Sequence, residues 1–397
     1  MKPPFITRLS LTNYKSIGRC DLTLPPLGFL VGPNGSGKSN LLDALAFISE
    51  ALNTSLEHAI RDRGGFREVC RRTTSHINPA VSSIEMHADF NLPEIAQHGY
   101  YKFSVAGGLK WSVMKEECEI YDQTTKSPHY FSIKEGRPVE SSVAVLPAAM
   151  SDRLFLVAAS GLPEFRPVFD AFSSIRVHQL NPAVIGEMQK PDAGAFLSYD
   201  GHNLASILRR FSPPERQHVI NYLSKIVPEI IDVQPSEQGG MESLDFLQNH
   251  DPHVFGKSHV FPASSMSDGT LRALATLVAV FQKREVSSLV GIEEPEIALH
   301  PAASSVLLAA LREASQNVQI LVSSHSPDLL DNPDIDPSSI FAVEKQEGVT
   351  RIAGVDDASM KTLKDKLFTP GELLRLNQLA PAPEVRDSEE LLEVREE

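Results

Sequence analysis

Near its start the chain reads Gly32-Pro33-Asn34-Gly35-Ser36-Gly37-Lys38-Ser39, a full match to GxxxxGK[ST]. Chemistry explains the spacing. Glycines let successive backbone N–H groups turn inward and cradle a phosphate. A helix beginning there adds the positive end of its dipole and its free donors. Lys38 is placed to reach β- and γ-phosphate oxygens as a point charge, and Ser39 to offer its hydroxyl to Mg²⁺. Asn34, Gly35, Ser36, Gly37 and Asn40 complete the expected ATP-binding set.

A second candidate lies far away in sequence. The apolar run Leu289-Val290-Gly291-Ile292 ends in Glu293-Glu294-Pro295. Adjacent side chains at a strand end point to opposite faces, so one carboxylate can meet a metal while the other approaches the γ-phosphate. Glu293 is assigned to Mg²⁺. Glu294 is assigned as general base for the attacking water, a role worth ~10²–10⁴-fold in rate.

Two further stretches fit this chemistry. In Ser264-Ser265-Met266-Ser267-Asp268-Gly269-Thr270-Leu271-Arg272, Ser267 suits a helix N-cap and Gly269 permits close backbone approach, so a second anion site can form. On these residues alone a well-capped core helix is the favoured reading. With one phosphate loop in the chain, a second anion site is most useful when it closes over ATP held by another copy. Ser323-Ser324-His325-Ser326-Pro327 follows an apolar run, and His325 is positioned to sense the γ-phosphate.

The elements that must hold these residues are legible from periodicity. Residues 6–12 alternate apolar and polar types and predict a strand, with 22–24 pairing back across a turn at Gly18. Residues 28–31 lead into the phosphate loop, and 39–51 take helical spacing. Residues 84–90, 101–105, 110–115, 118–121 and 130–133 predict an antiparallel meander. Helix is expected over 144–164, 203–211 and 214–226, a strand over 172–179, and extended chain over 254–261. In the last third, 270–282 and 301–314 predict helices, 288–292 and 319–323 buried strands, and 340–344 with 350–352 a hairpin.

Composition sets bounds. The chain of 397 residues carries 51 acidic and 37 Lys or Arg residues, a formal charge of −14, which does not favour extended binding to nucleic acid. Only a local cluster, Arg61, Arg63, Arg67, Arg71 and Arg72, offers DNA a basic patch. Cys20, Cys70 and Cys118 form no CxxC pair, which argues against a zinc hook or a disulfide framework. No apolar run approaches the ~20 residues of a membrane span, so a cytoplasmic location is expected. Neither a heptad run nor an internal repeat is present.

The order of the four stretches resembles the ABC-type ATPase heads of SMC, RecF and OLD-like proteins. Residues 267–272, 292–301 and 323–330 are most similar to stand-alone RecF/OLD-like AAA-type ATPases. Asp200-Gly201-His202-Asn203-Leu204 also resembles that group, more loosely. The resemblance implies ATP-driven head-to-head dimerisation, with Ser267 and Gly269 touching the γ-phosphate held by the partner, and roles in DNA repair or phage defence. This chain departs from the pattern in its signature and in carrying Leu299-His300-Pro301 where a D-loop aspartate is usual. Past His325 no glutamate–glycine strand is followed by a DxD pair, so the TOPRIM nuclease of OLD proteins is not expected.

The expected fold is therefore α/β, a two-lobed ABC-type P-loop NTPase head: a mixed sheet core plus an antiparallel β lobe, with a helical insertion. The expected division is an N-terminal ATPase lobe over 1–140, an insertion over 141–255, a C-terminal ATPase lobe over 256–380 and an acidic, disordered tail over 381–397. The expected function is an ATP-hydrolysing homodimer that acts as a DNA-linked switch or clamp, with a separate effector such as a nuclease. The alternatives are an ATP-gated regulatory scaffold without DNA and a transporter ATPase subunit. The latter would need a glutamine loop and a conventional signature, neither evident in the sequence.

Overall fold

The computed structural model describes residues 4–71, 82–108, 110–122, 127–249, 258–282, 287–332 and 335–383. Strands β1 (Ile6–Tyr14), β2 (Ile17–Thr23) and β3 (Leu27–Val31) lead into the Lys38–Asn53 helix. A meander follows: β4 (Ser82–Leu92), β5 (Gln97–Gly107), β6 (Trp111–Asp122), β7 (Pro128–Lys134) and β8 (Arg137–Ser141). The middle of the chain supplies β9 (Arg176–His178) and a separate sheet of β10 (Ile230–Gln238), β11 (Met241–Asn249) and β12 (Ser258–Pro262). Last come β13 (Leu289–Glu293), β14 (Gln319–Ser324), β15 (Ile340–Gln346) and β16 (Val349–Gly354).

One sheet of 13 strands runs in the order β8-β7-β6-β5-β4-β1-β2-β16-β15-β3-β14-β13-β9. Its first arm is antiparallel, from β8 to β2. In its second arm β15, β3, β14, β13 and β9 are all parallel. The arms meet where β2 and β16 pair through a single register position, Thr350 opposite Ile17.

The parallel strands are apolar on both faces, as burial under two layers requires. Leu289 and Leu321 face the side of the Lys38–Asn53 helix, in one core with the meander. Val290, Ile292, Ile320 and Val322 face a second core beneath the Asp268–Phe281 and Pro301–Ala314 helices. The Asp268–Phe281 helix is buried along most of its length, which explains a sequence apolar all round. At Gly291 the missing Cβ leaves room for the Leu42 side chain of the Lys38–Asn53 helix and for Val177 of β9.

The structure corrects several expectations. Residues 111–115 and 118–121 belong to the single strand β6. Between them Glu116 points inward and is 1% exposed. Its carboxylate accepts from Phe155 N–H (2.5 Å), Leu156 N–H (2.8 Å) and Tyr101 Oη–H (2.9 Å), and burial pushes its pKa up to about 7. Helix over 144–164 shrinks to Phe155–Ala159, the turn that this carboxylate caps. The strand expected over 172–179 is the end of an Arg166–Ser173 helix followed by β9. The turn before β2 falls at Lys15 and Ser16, leaving Gly18 inside the strand.

From within residues 141–255, β9 joins the main sheet at its edge. Pro381 bridges to Val355, and Ala382 N–H donates to Gly354 O (2.8 Å). Residues 384–397 lie outside the described residues, as do 254–257. No helix among the described residues is long and apolar enough to cross a membrane. All three cysteines are free and buried.

Candidate functional site

The carboxyl ends of parallel strands gather residues that lie hundreds of positions apart. β3 delivers the phosphate loop, and Gly37 starts the following helix at φ +107°, where its missing Cβ leaves room for the Thr350 side chain. The loop is braced from outside: Thr350 Oγ1 donates to Ser36 O (2.7 Å) and lies 2.6 Å from Ser16 Oγ, which in turn accepts from Asn40 Nδ2 (2.6 Å). Lys38 Nζ donates to Gly32 O (2.9 Å) and Pro33 O (3.1 Å), two carbonyls of the loop itself. Burial lowers the Lys38 pKa, and the carboxylates of Glu294, Glu296 and Glu293 oppose that shift.

Ser39 Oγ donates to Glu293 Oε2 at 2.7 Å, so the two groups assigned to Mg²⁺ meet. A hydroxyl and a carboxylate are hard oxygen donors. Mg²⁺ commonly takes one or two such protein ligands and draws the rest from phosphates and water, so this pair fits the ion. Burial raises the Glu293 pKa, an effect that a bound cation would offset, while the Ser39 hydrogen bond lowers it. Among the described residues no group of three or more His, Cys, Asp and Glu could hold a metal ion. The Ser36 hydroxyl is buried in the loop with no hydrogen-bond partner, and space around Gly35 is open, as a phosphate cradle requires.

Glu294 reaches its place by a route that strand alternation does not describe. β13 ends at Glu293, and Glu294 takes φ +44°, the left-handed region that costs a non-glycine residue roughly 1 kcal/mol or more. That turn aims its N–H at Ser323 O (3.0 Å) on β14 and its carboxylate at His325, with Oε1 3.0 Å from Nδ1. The two glutamates thus diverge because the strand stops between them. Both His325 and Glu294 keep access to solvent, with side chains 37% and 28% exposed.

Three residues near this centre are not in the sequence-derived set. Glu296 is 5% exposed and accepts from Ser324 Oγ at 2.5 Å, directly beneath the His325 turn. Burial raises its pKa. Arg272 has its pKa lowered by burial and lies within electrostatic reach of Asp268, Glu294 and Glu296. Gln179 follows β9, one position beyond the His178–Ile292 pair, and is exposed. A carboxylate two residues beyond a recognised pair, an arginine closing the signature and a glutamine ending an expected strand were the available signals.

The signature turn is built differently from the phosphate loop. Ser267 Oγ accepts from Thr270 N–H (3.2 Å) as a helix cap, and Ser267 and Asp268 are exposed. Gly269 is buried, and its close approach is used within the chain, against Ala298 O. The arginine cluster does not form one free patch. Arg63 pairs with Asp43 (2.9 Å) and Glu50 (2.5 Å) and covers the Phe47 ring, with its side chain 8% exposed. Arg71 Nε donates to Asn13 Oδ1 (3.3 Å). Arg61 and Arg67 are exposed, and Arg72 lies outside the described residues.

A protein family described as "AAA domain, putative AbiEii toxin, Type IV TA system" matches residues 28–127 and 192–331, more than half of the chain. The Chromosome partition protein Smc of Methanocaldococcus jannaschii is 35% identical over 85 residues, 18% of this chain and 7% of that protein. The chain therefore matches less than a tenth of that relative's length. Among solved structures, a Smc head bound to the C-terminal winged-helix domain of ScpA has a TM-score of 0.55 at 15% identity, covering 88% of this chain and 98% of that one. A Smc head with an extended coiled coil from Pyrococcus furiosus, bound to the C-terminal domain of ScpA, has a TM-score of 0.54 at 12% identity, covering 92% and 100%. These likenesses show the fold: a mixed α/β head of the ABC-type P-loop class.

Proposed function

The chain belongs to the AAA-domain family just described, and on that premise we propose that it binds ATP with Mg²⁺ at residues 32–40 and hydrolyses it. One observation carries this reading. Lys38 and Ser39, Glu293 and Glu294, and His325 converge at the carboxyl ends of β3, β13 and β14, with Ser39 Oγ 2.7 Å from Glu293 Oε2. Open parallel sheets bind ligands at that end of their strands.

In this reading the loop N–H groups and Lys38 hold the β- and γ-phosphates, and Ser39 and Glu293 hold the metal. Mg²⁺, when bound, neutralises charge on the phosphate oxygens. Glu294 takes a proton from the attacking water through its carboxylate, which His325 orients across 3.0 Å. Lys38 exchanges its two loop carbonyls for phosphate oxygens, a gain in charge-assisted hydrogen bonding.

The finer reading is an ATP-sandwich homodimer in which the exposed Ser267 helix start of one copy caps the γ-phosphate held by the other. A regulatory dimer acting through a separate effector accords better with the surface than a DNA clamp does. Arg63 is committed inside the fold and the net charge is −14. Glu294→Gln tests the whole reading. ATP affinity should hold, hydrolysis should fall ~10²–10⁴-fold, and light scattering should show a dimer that needs ATP. Normal turnover by this variant would overturn the assignment of the base, and a monomer at saturating ATP would overturn the sandwich.

A further inference from the structure

His325 meets Glu294 through one contact, Nδ1 to Oε1 at 3.0 Å, so its aim depends on the backbone on either side. Before it, Ser324 is buried. Its Oγ donates to Glu296 Oε1 (2.5 Å) and accepts from Ser326 N–H (3.1 Å). After it, Pro327 opens the one-turn Pro327–Leu330 helix. The proline ring locks φ, which leaves little torsional slack between His325 and that helix. The orientation of the helix is therefore passed on to the imidazole.

Two kinds of contact hold the helix. Leu329 and Leu330 are buried in the second core and settle where it sits. Apolar burial is non-directional, so it defines the rotation of so short a helix only weakly. Directional bonds come from the Pro370–Arg375 helix, far along the chain. Arg375 Nη2 donates to Asp328 Oδ1 (2.9 Å), and its Nη1 donates to Asp331 Oδ2 (2.5 Å). Thr369 Oγ1 donates to Asp331 Oδ1 (2.6 Å) while it caps its own helix at Glu372 N–H. Between these bonds the backbones come together at Gly371, where a Cβ would lie 2.2 Å from Asp331 Oδ1 and 2.4 Å from Pro327 O. Arg375 and Asp328 are exposed, and exposed ion pairs add little to stability. What a planar guanidinium does add is an angle, because its donors stand in a fixed fork.

We propose that Arg375, assisted by Thr369, is a positioning residue for ATP hydrolysis. By gripping Asp328 and Asp331 it orients the Pro327–Leu330 helix, and so sets the angle at which His325 meets Glu294. The proposal rests on the ATPase reading above. Arg375 bonds the turn and not the phosphate loop, so its influence falls on the chemical step and leaves the affinity for ATP alone.

Two measurements test it. In the first, Arg375→Ala lowers kcat about fivefold, the scale of a slight misalignment, with the KM for ATP and the melting temperature unchanged. The same substitution made on His325→Ala costs nothing more, the mark of two residues acting through one contact. A kcat within about twofold of the parent, or an equal loss in both backgrounds, overturns the proposal. In the second, the protein carries ¹⁵N-labelled histidine, and the ring signals of His325 are assigned by their loss in His325→Ala. Arg375→Ala should shift or split those signals and leave the signals of the buried His178 in place. Unchanged His325 signals, or shifts shared by His178, overturn the proposal. The spectrum needs no turnover. A parent protein that binds ATP but never hydrolyses it would defeat the enzymatic reading, and the ring signals would still decide whether Arg375 orients His325.

Discussion

Two helices begin near the phosphate end of the molecule, and their first turns differ in what they leave unmet. The Lys38–Asn53 helix starts at Gly37 with no side-chain cap and no acidic residue in its first turn. Its first-turn N–H groups and positive dipole end favour a negative charge there. The Asp268–Phe281 helix is served by its own chain: Ser267 caps Thr270 N–H, and Asp268 supplies a negative charge in the first turn. The first turn favours an anion and the second is already served, so in the proposed dimer a phosphate from the other copy would compete with Ser267's cap and with the Asp268 carboxylate. Strong binding within one copy and weaker, reversible closure between copies is what such a pair would give.

The largest break in that contrast comes at Lys38. Lys38→Ala removes the cation that turns on the loop carbonyls, and ATP affinity should fall about 100-fold, the scale of a charged hydrogen-bonding group. Calorimetry checks this; an unchanged dissociation constant would end the loop's claim. Gly269→Ala should act in the opposite register. An added Cβ overlaps Ala298 O, so the fold should lose about 1–3 kcal/mol in denaturant melts while ATP binding by the single copy is untouched. Loss of that binding would make the signature turn part of the same-chain site. The smallest effect is expected from Asp268→Asn, which lifts one like charge from the path of a phosphate. The ATP-dependent dimer should tighten about threefold at low salt, with the gain fading as salt is raised. Sedimentation at two ionic strengths reads it out, and a weaker dimer would assign Asp268 an attractive role.

What sequence conveyed about this site follows the range of the interactions that build it. The phosphate loop is legible because its geometry is local: glycines, lysine and serine act within eight positions. Glu293 and Glu294 are legible as a pair, but the reason they diverge is not. Alternation along a strand predicts opposite faces, whereas the actual cause is a left-handed residue immediately after β13. Gln179 was not singled out, since β9 has three residues and its place beside β13 comes from pairing with chain more than a hundred positions away. The same limit explains Arg63. Its charge was plain in sequence, but Asp43 and Glu50 claim it only once the Lys38–Asn53 helix and the next turn pack together. Glu116 misled in the other direction: a buried carboxylate inside a strand looks like a strand's end until the N–H groups of Phe155 and Leu156 are seen to satisfy it.

The junction of the two arms of the sheet has a mechanical meaning. A ladder bends most readily along its thinnest seam, and here the seam is the lone Thr350–Ile17 rung. Thr350 also ties down the phosphate loop, through Ser36 O and Ser16 Oγ. The molecule's crease and its grip share one threonine.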